Sequence, residues 1–169
     1  MKKSLIIALT FIMATNMFAE LYNIQTPNMS LVIDASKGKK ANFVYFGPQL
    51  SSRELNSLQT TRGSRMDLYM PYGMHCTSES AMAMTHADGN KTTELFIDNI
   101  SEKKQAITAR NGKNASGTHL IIDMSDPSYK TAVSLHYFAY SDVDMIETWT
   151  VIKNKEKNMN NTKQVHRAF

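Results

Sequence analysis

The sequence contains a single cysteine, Cys76, so no disulfide can form within the chain and the fold has to be held by its core. The one apolar run, near the start, falls short of the roughly 20 residues that a membrane-spanning helix takes, and no second run exists. No glycine-rich phosphate loop and no internal repeat occurs. The 19 lysines and arginines are scattered rather than clustered, so the basic patch of a nucleic-acid binder is missing. At 169 residues the chain is also too short for a (β/α)8 barrel, which needs roughly 250. One core of ordinary size is what these absences leave.

What is present begins with a leader. Lys2 and Lys3 precede an apolar run over residues 5–14, and Ala19 offers a small side chain at a cleavage point, so residues 1–19 read as a secretory signal peptide. No cysteine stands directly after the run, which disfavours a lipoprotein. The remaining residues, 20–169, carry 17 basic and 15 acidic side chains, a net charge of +2 against +4 for the whole chain. The expected location is exported, either periplasmic or extracellular.

Beyond the leader, short alternating segments outnumber any 3.6-residue period, and the expected class is all-β. Residues 29–34 and 41–46 read as a hairpin turned by Lys37-Gly38-Lys39, and Gly47-Pro48 stops the second strand. Residues 51–58 are the one helix-like piece, with Ser51 or Ser52 as cap and Leu55 and Leu58 on one face. Residues 65–77 read as a long structured loop. Residues 81–100 are expected to form a hairpin turned by Asp88-Gly89, with Leu95 and Ile97 on one face and Glu94, Phe96 and Asp98 on the other. Residues 105–110 and 118–124 form a further expected pair. The longest strands, 130–140 and 143–152, carry bulky side chains on both faces, as strands covered on both sides would. Residues 153–163 read as a connector, and 164–169 begin an alternating pattern that stops.

Candidate chemistry is sparse. Asp67, Glu79, Asp88, Asp142, Asp144 and Glu147 could in principle supply an acid/base pair, but turn and solvated-face roles are commoner for carboxylates, and Asp88 reads as turn chemistry. His75-Cys76 and His86-x-Asp88 contain metal-ligating residue types without a second tight ligand pair, so no metal site is assigned. No cofactor is implied, and Cys76 has no identifiable catalytic partner. The twelve methionines, Met66, Met70, Met74, Met82 and Met84 among them, read as core filler. The Asn-x-Ser/Thr matches at Asn28, Asn90, Asn99, Asn114 and Asn160 matter only in a glycosylating host. Asp67 with Tyr69 and Tyr72 is the best candidate contact, because aromatic faces stack on sugar rings and a carboxylate accepts hydroxyl hydrogen bonds. The same three residues also suit a packed interdomain loop, the commoner role for such a segment.

Five elements in order carry a resemblance: Tyr45-Phe46-Gly47 ahead of Leu50 and Leu55, Asp67-Leu68-Tyr69-Met70-Pro71-Tyr72-Gly73, Glu79-Ser80-Ala81-Met82-Ala83, Asp88-Gly89, and Asp144-Met145-Ile146-Glu147-Thr148-Trp149-Thr150. Together they resemble the N-terminal domain of glycoside hydrolase family 36 α-galactosidases, of the exported bacterial type. Ser78 stands where that family usually has a basic residue. The resemblance implies an antiparallel β-supersandwich of the galactose mutarotase-like kind, here incomplete, in front of a catalytic barrel. It implies retaining hydrolysis of terminal α-galactosides by two barrel aspartates, to which no residue of this sequence corresponds, so the chain alone is expected to be inactive. The implied partners are α-galactoside oligosaccharides, the missing barrel and a second copy in a homo-oligomer. The competing expectation is a free-standing, exported, lectin-like β-sandwich that binds carbohydrate without cleaving it.

Overall fold

The computed structural model describes residues 20–36, 38–60, 66–73, 79–108, 112, 114–156 and 162–163. In chain order they form β1 (Leu21–Gln25), β2 (Met29–Asp34), β3 (Asn42–Pro48), α1 (Ser52–Thr60), β4 (Met66–Asp67), β5 (Ala83–Met84), β6 (Phe96–Thr108), β7 (Asn114–Ser125), β8 (Thr131–Tyr140), β9 (Ile146–Asn154) and β10 (Thr162–Lys163). Two four-stranded antiparallel sheets, ordered β1-β2-β3-β4 and β6-β7-β8-β9, make an all-β sandwich. The short pair β5-β10 stands apart from both.

The inner faces follow from period-two alternation. Ile24, Leu31 and Ile33 from the first sheet meet Leu120, Ile122, Met124, Val133 and Leu135 from the second, with Met82, Met84 and Leu95 joining them. Each fully buried aliphatic side chain of this kind stabilises the fold by about 1.5–3 kcal/mol. The helix is closed at its start by a reciprocal cap: Ser51 Oγ accepts from Glu54 N–H, and Ser51 N–H donates to Glu54 Oε2 at 2.8 Å.

Three local expectations need correction. Residues 81–100 do not form a hairpin: Ala83 and Met84 pair with Lys163 and Thr162, and no strand covers 91–95. There the backbone donors go elsewhere, Thr93 N–H to Tyr72 O and Glu94 N–H to the Asp126 carboxylate at 2.7 Å. The expected alternation of Leu95 and Ile97 against Glu94 and Phe96 survives as burial without a ladder. Second, β6 and β7 pair along their whole lengths, and Asp98 is the extra residue of a bulge that returns Ile100 to the inner face. Third, β9 begins at Ile146 rather than at Val143, and Val143 and Met145 are exposed. β1 lies outside these expectations, because Asn23 and Gln25 dilute its apolar pattern. Residues 74–78 and 164–169, with His75, Cys76 and the alternating end, lie outside the described residues.

Candidate functional site

The 66–73 segment is fixed from both sides. Asp67 pairs with Asn42, extending the first sheet, Leu68 N–H donates to Ala41 O, and Tyr72 N–H donates to Met82 O at 2.8 Å. Gly73 ends it at φ +94, where a Cβ would fall 2.7 Å from Thr92 Oγ1 and 2.9 Å from Thr92 Cα, so only glycine fits. Asp67 and Tyr69 share a hollow of about 10 Å³ with Lys40, Pro71, Leu95 and Met124, room for about one water. Tyr69 packs against the core, and burial pushes its phenol up to about 12. Tyr72 is 50% exposed. The structure thus gathers Asp67 and Tyr69 in one place and presents the Tyr72 ring on the surface of the same segment.

A second cluster surrounds His86. Its ring is buried, stacks on Tyr129 at 3.5 Å, and meets Glu156 Oε1 through Nδ1 at 2.7 Å and Thr93 Oγ1 through Nε2 at 2.9 Å. Burial raises the Glu156 carboxyl, but hydrogen bonds from Ala87 N–H, His86 and Thr131 outweigh it and hold the group below its ordinary value. Glu156 is therefore ionised at neutral pH and can only accept, so Nδ1 carries the proton. Tyr129 in turn donates to Asp88 Oδ2 at 2.9 Å. His86 and Asp88, noted from sequence for metal-ligating chemistry, are thus engaged by protein partners. Among the described residues no group of three or more His, Cys, Asp or Glu side chains could hold a metal ion.

The outer face of the second sheet carries a third cluster. His136 stacks on Trp149 at 4.8 Å, His119 Nε2 lies 3.1 Å from His136 Nδ1, and Gln105 lies 2.6 Å from His119 Nδ1. Phe138, fully buried, sits edge-on to Tyr140 and His119. A Cβ on Gly117 would strike Ala139 O and come within 2.8 Å of Phe138, so the missing side chain makes room for the ring. The bulky outer residues of β8 and β9 therefore cover one another. Sequence reasoning missed the histidines; their signal was the spacing of His136, Phe138 and Tyr140, alternate to that of Val133 and Leu135.

The remaining carboxylates with visible partners are structural. Asp144 accepts from Thr26 Oγ1, Asn28 N–H and Asn28 Nδ2, each at 2.8 Å, and ties the β8–β9 turn to the β1–β2 turn. Those bonds, the Asn28 side chain first, hold its carboxyl below the ordinary value. Glu147 accepts from Tyr140 Oη at 2.7 Å. A polar cleft of about 560 Å³ opens beside β1, between Asn23, Gln25 and Pro27 on one wall and Glu102, Lys104 and Thr118 on the other.

The family profile described as Glycosyl hydrolase family 36 N-terminal domain matches residues 39–168. No curated protein matches the sequence significantly. Among solved structures, the family 36 α-galactosidase AgaA of Geobacillus stearothermophilus, in a variant complexed with raffinose, superposes with a TM-score of 0.66 at 16% identity, covering 81% of this chain and 22% of that one. The α-galactosidase of Lactobacillus brevis gives 0.62 at 16% identity, with 79% and 21% covered. The galactosidase domain of the α-galactosidase-sucrose kinase AgaSK gives 0.64 at 13%, with 80% and 22% covered. The chain spans about a fifth of the length of these solved proteins.

Proposed function

The chain belongs to the glycosyl hydrolase family 36 N-terminal domain, and from that membership we propose that it is the β-sandwich portion of an exported α-galactosidase-like glycoside hydrolase, inert without a catalytic barrel. Retaining hydrolysis takes two carboxyl groups about 5–5.5 Å apart, one a nucleophile and one an acid/base. Asp88, Asp144 and Glu147 are engaged by structural hydrogen bonds instead. The leader over residues 1–19 supports export.

The observation that carries this reading is the family match over residues 39–168, on a fold shared with only a fifth of each solved α-galactosidase. In it, the 66–73 segment, with Asp67 and Tyr69 held rigid and Tyr72 projecting, is the contact with the barrel or with an α-galactoside bound there. The test is to join this sandwich to the barrel of a family 36 α-galactosidase stripped of its own N-terminal domain. Hydrolysis of p-nitrophenyl α-galactoside is expected to require the sandwich and to fall with Tyr72→Ala. Equal turnover with and without the sandwich would sink the proposal.

A further inference from the structure

We propose that the cleft beside β1 is an acceptor groove for a single extended strand of another polypeptide, one that presents a basic and an acidic side chain two positions apart on its inward face. The first observation is the direction of the main-chain groups of β1. Ala35 N–H donates to Glu20 O at one end of the β1–β2 pair and Thr26 N–H to Met29 O at the other. With the register Leu21↔Asp34 through Gln25↔Ser30, residues 20, 22, 24 and 26 occupy the hydrogen-bonded pairs. Antiparallel pairs alternate, so Leu21, Asn23 and Gln25 turn their N–H and C=O groups away from β2. Among the described residues no strand lies on that side, and Asn23 and Gln25 both line the cleft. Asn23 Oδ1 is in addition buried without a hydrogen-bond partner, an uncompensated acceptor beside the same strip.

The second observation is the opposite wall. β1 packs over β7 and β8, and β6 extends beyond it. Ile97 and Ile100 face the core, but Glu102 and Lys104, on that same side of β6 further along, are exposed and line the cleft. They stand two residues apart, about 6.8 Å along the strand. A strand added to β1 would lie beneath them, and main-chain pairing would give affinity while the two charges select its inward side chains.

The same geometry excludes a second copy of this chain. Antiparallel β1-to-β1 pairing needs a two-fold axis perpendicular to the sheet, which would bring both second sheets into one layer, where β6 already extends past β1. A lone extended segment has no second layer to collide.

The probe is a capped pentapeptide of threonines with lysine at its second and glutamate at its fourth position, together with its charge-exchanged twin, titrated into the purified full-length chain under amide-resolved NMR. One of the two, according to strand direction, is expected to shift the Leu21, Asn23 and Gln25 amides, and N-methylation of its alternate backbone nitrogens to weaken binding by about 10-fold or more. The double exchange Glu102→Lys with Lys104→Glu, both exposed and compatible with folding, is expected to reverse the preference between the twins. Equal binding of the N-methylated peptide, unmoved amides at Leu21, Asn23 and Gln25, or displacement of those amides by raffinose instead would each overturn the proposal, the last in favour of a carbohydrate site.

Discussion

The His86 imidazole donates to the Glu156 carboxylate at 2.7 Å across 70 positions of sequence, and so joins the 81–95 segment to the end of β9. Glu156 Oε1 also accepts from Thr131 Oγ1 at 3.1 Å, and Glu156 Oε2 from Ala87 N–H at 3.0 Å. One carboxylate thus satisfies three donors that would otherwise be orphaned at the end of the sandwich. His86→Ala leaves that carboxylate without its partner and a cavity against Tyr129. It is expected to cost about 3 kcal/mol in urea unfolding, with His86→Gln, which keeps a donor, recovering part of the loss.

The clamp also predicts acid behaviour. The Glu156 carboxyl lies below its ordinary value of 4.5 when folded, so its contribution is complete above about pH 4.5 and is lost as pH falls through the folded value. Urea midpoints measured from pH 5 to pH 3 are expected to decline, and Glu156→Gln to flatten that decline while lowering the midpoint at pH 7.

A second, higher pH window belongs to the outer face. Burial holds His119 below the ordinary histidine value of 6.5, and burial together with the neighbouring His119 does the same for His136. A depressed histidine binds its proton more readily when unfolded, so stability is full above pH 6.5 and falls as pH drops through 6.5 toward the folded values. The urea midpoint is expected to be lower at pH 5.5 than at pH 7.5, and His119→Gln with His136→Gln to shrink the difference. A midpoint unchanged between those pH values in the parent chain would contradict the assignment.

Gly117 tests the packing beneath those rings. Its missing Cβ makes room for Phe138 and the Ala139 carbonyl, so Gly117→Ala is expected to destabilise by about 1–3 kcal/mol through overpacking. Gly112→Ala, at φ +76 with open space around it, is expected to show backbone strain alone, at about 1 kcal/mol, in the same unfolding assay.

Much of this architecture was legible in the residues. Period-two alternation located β2, β3, β7 and β8, and Ser51 or Ser52 as cap with Leu55 and Leu58 on one face located the helix, whereas the Glu54 half of the cap came from the structure. The false hairpin over 81–100 arose because Asp88-Gly89 does make a tight turn, with Gly89 N–H on His86 O. The segments flanking that turn are held by Tyr72, Asp126 and β10, which lie far away in sequence and leave no local trace. The same reason hid Glu156 as the partner of His86. In the candidate contact segment, the residue types of Asp67, Tyr69 and Tyr72 were visible, but the inward packing of Tyr69 and the outward display of Tyr72 follow from tertiary anchoring to Ala41 and Met82.

That display yields a separable outcome. Tyr72 is exposed, so Tyr72→Ala is expected to leave the unfolding midpoint of the sandwich within about 0.5 kcal/mol of the parent, whereas Tyr69→Ala, which removes a ring packed on the core, is expected to cost about 3 kcal/mol. Urea titration of the two variants separates the surface role from the packing role.

The most direct measurement is the release of p-nitrophenol from p-nitrophenyl α-galactoside by the purified chain alone. A rate equal to that of buffer is the predicted result, because the function proposed above assigns the catalytic carboxyl pair to a barrel outside this chain. Turnover that co-purifies with the chain and disappears on replacing one of its own carboxylates, Asp67 or Glu79 for instance, would contradict the account.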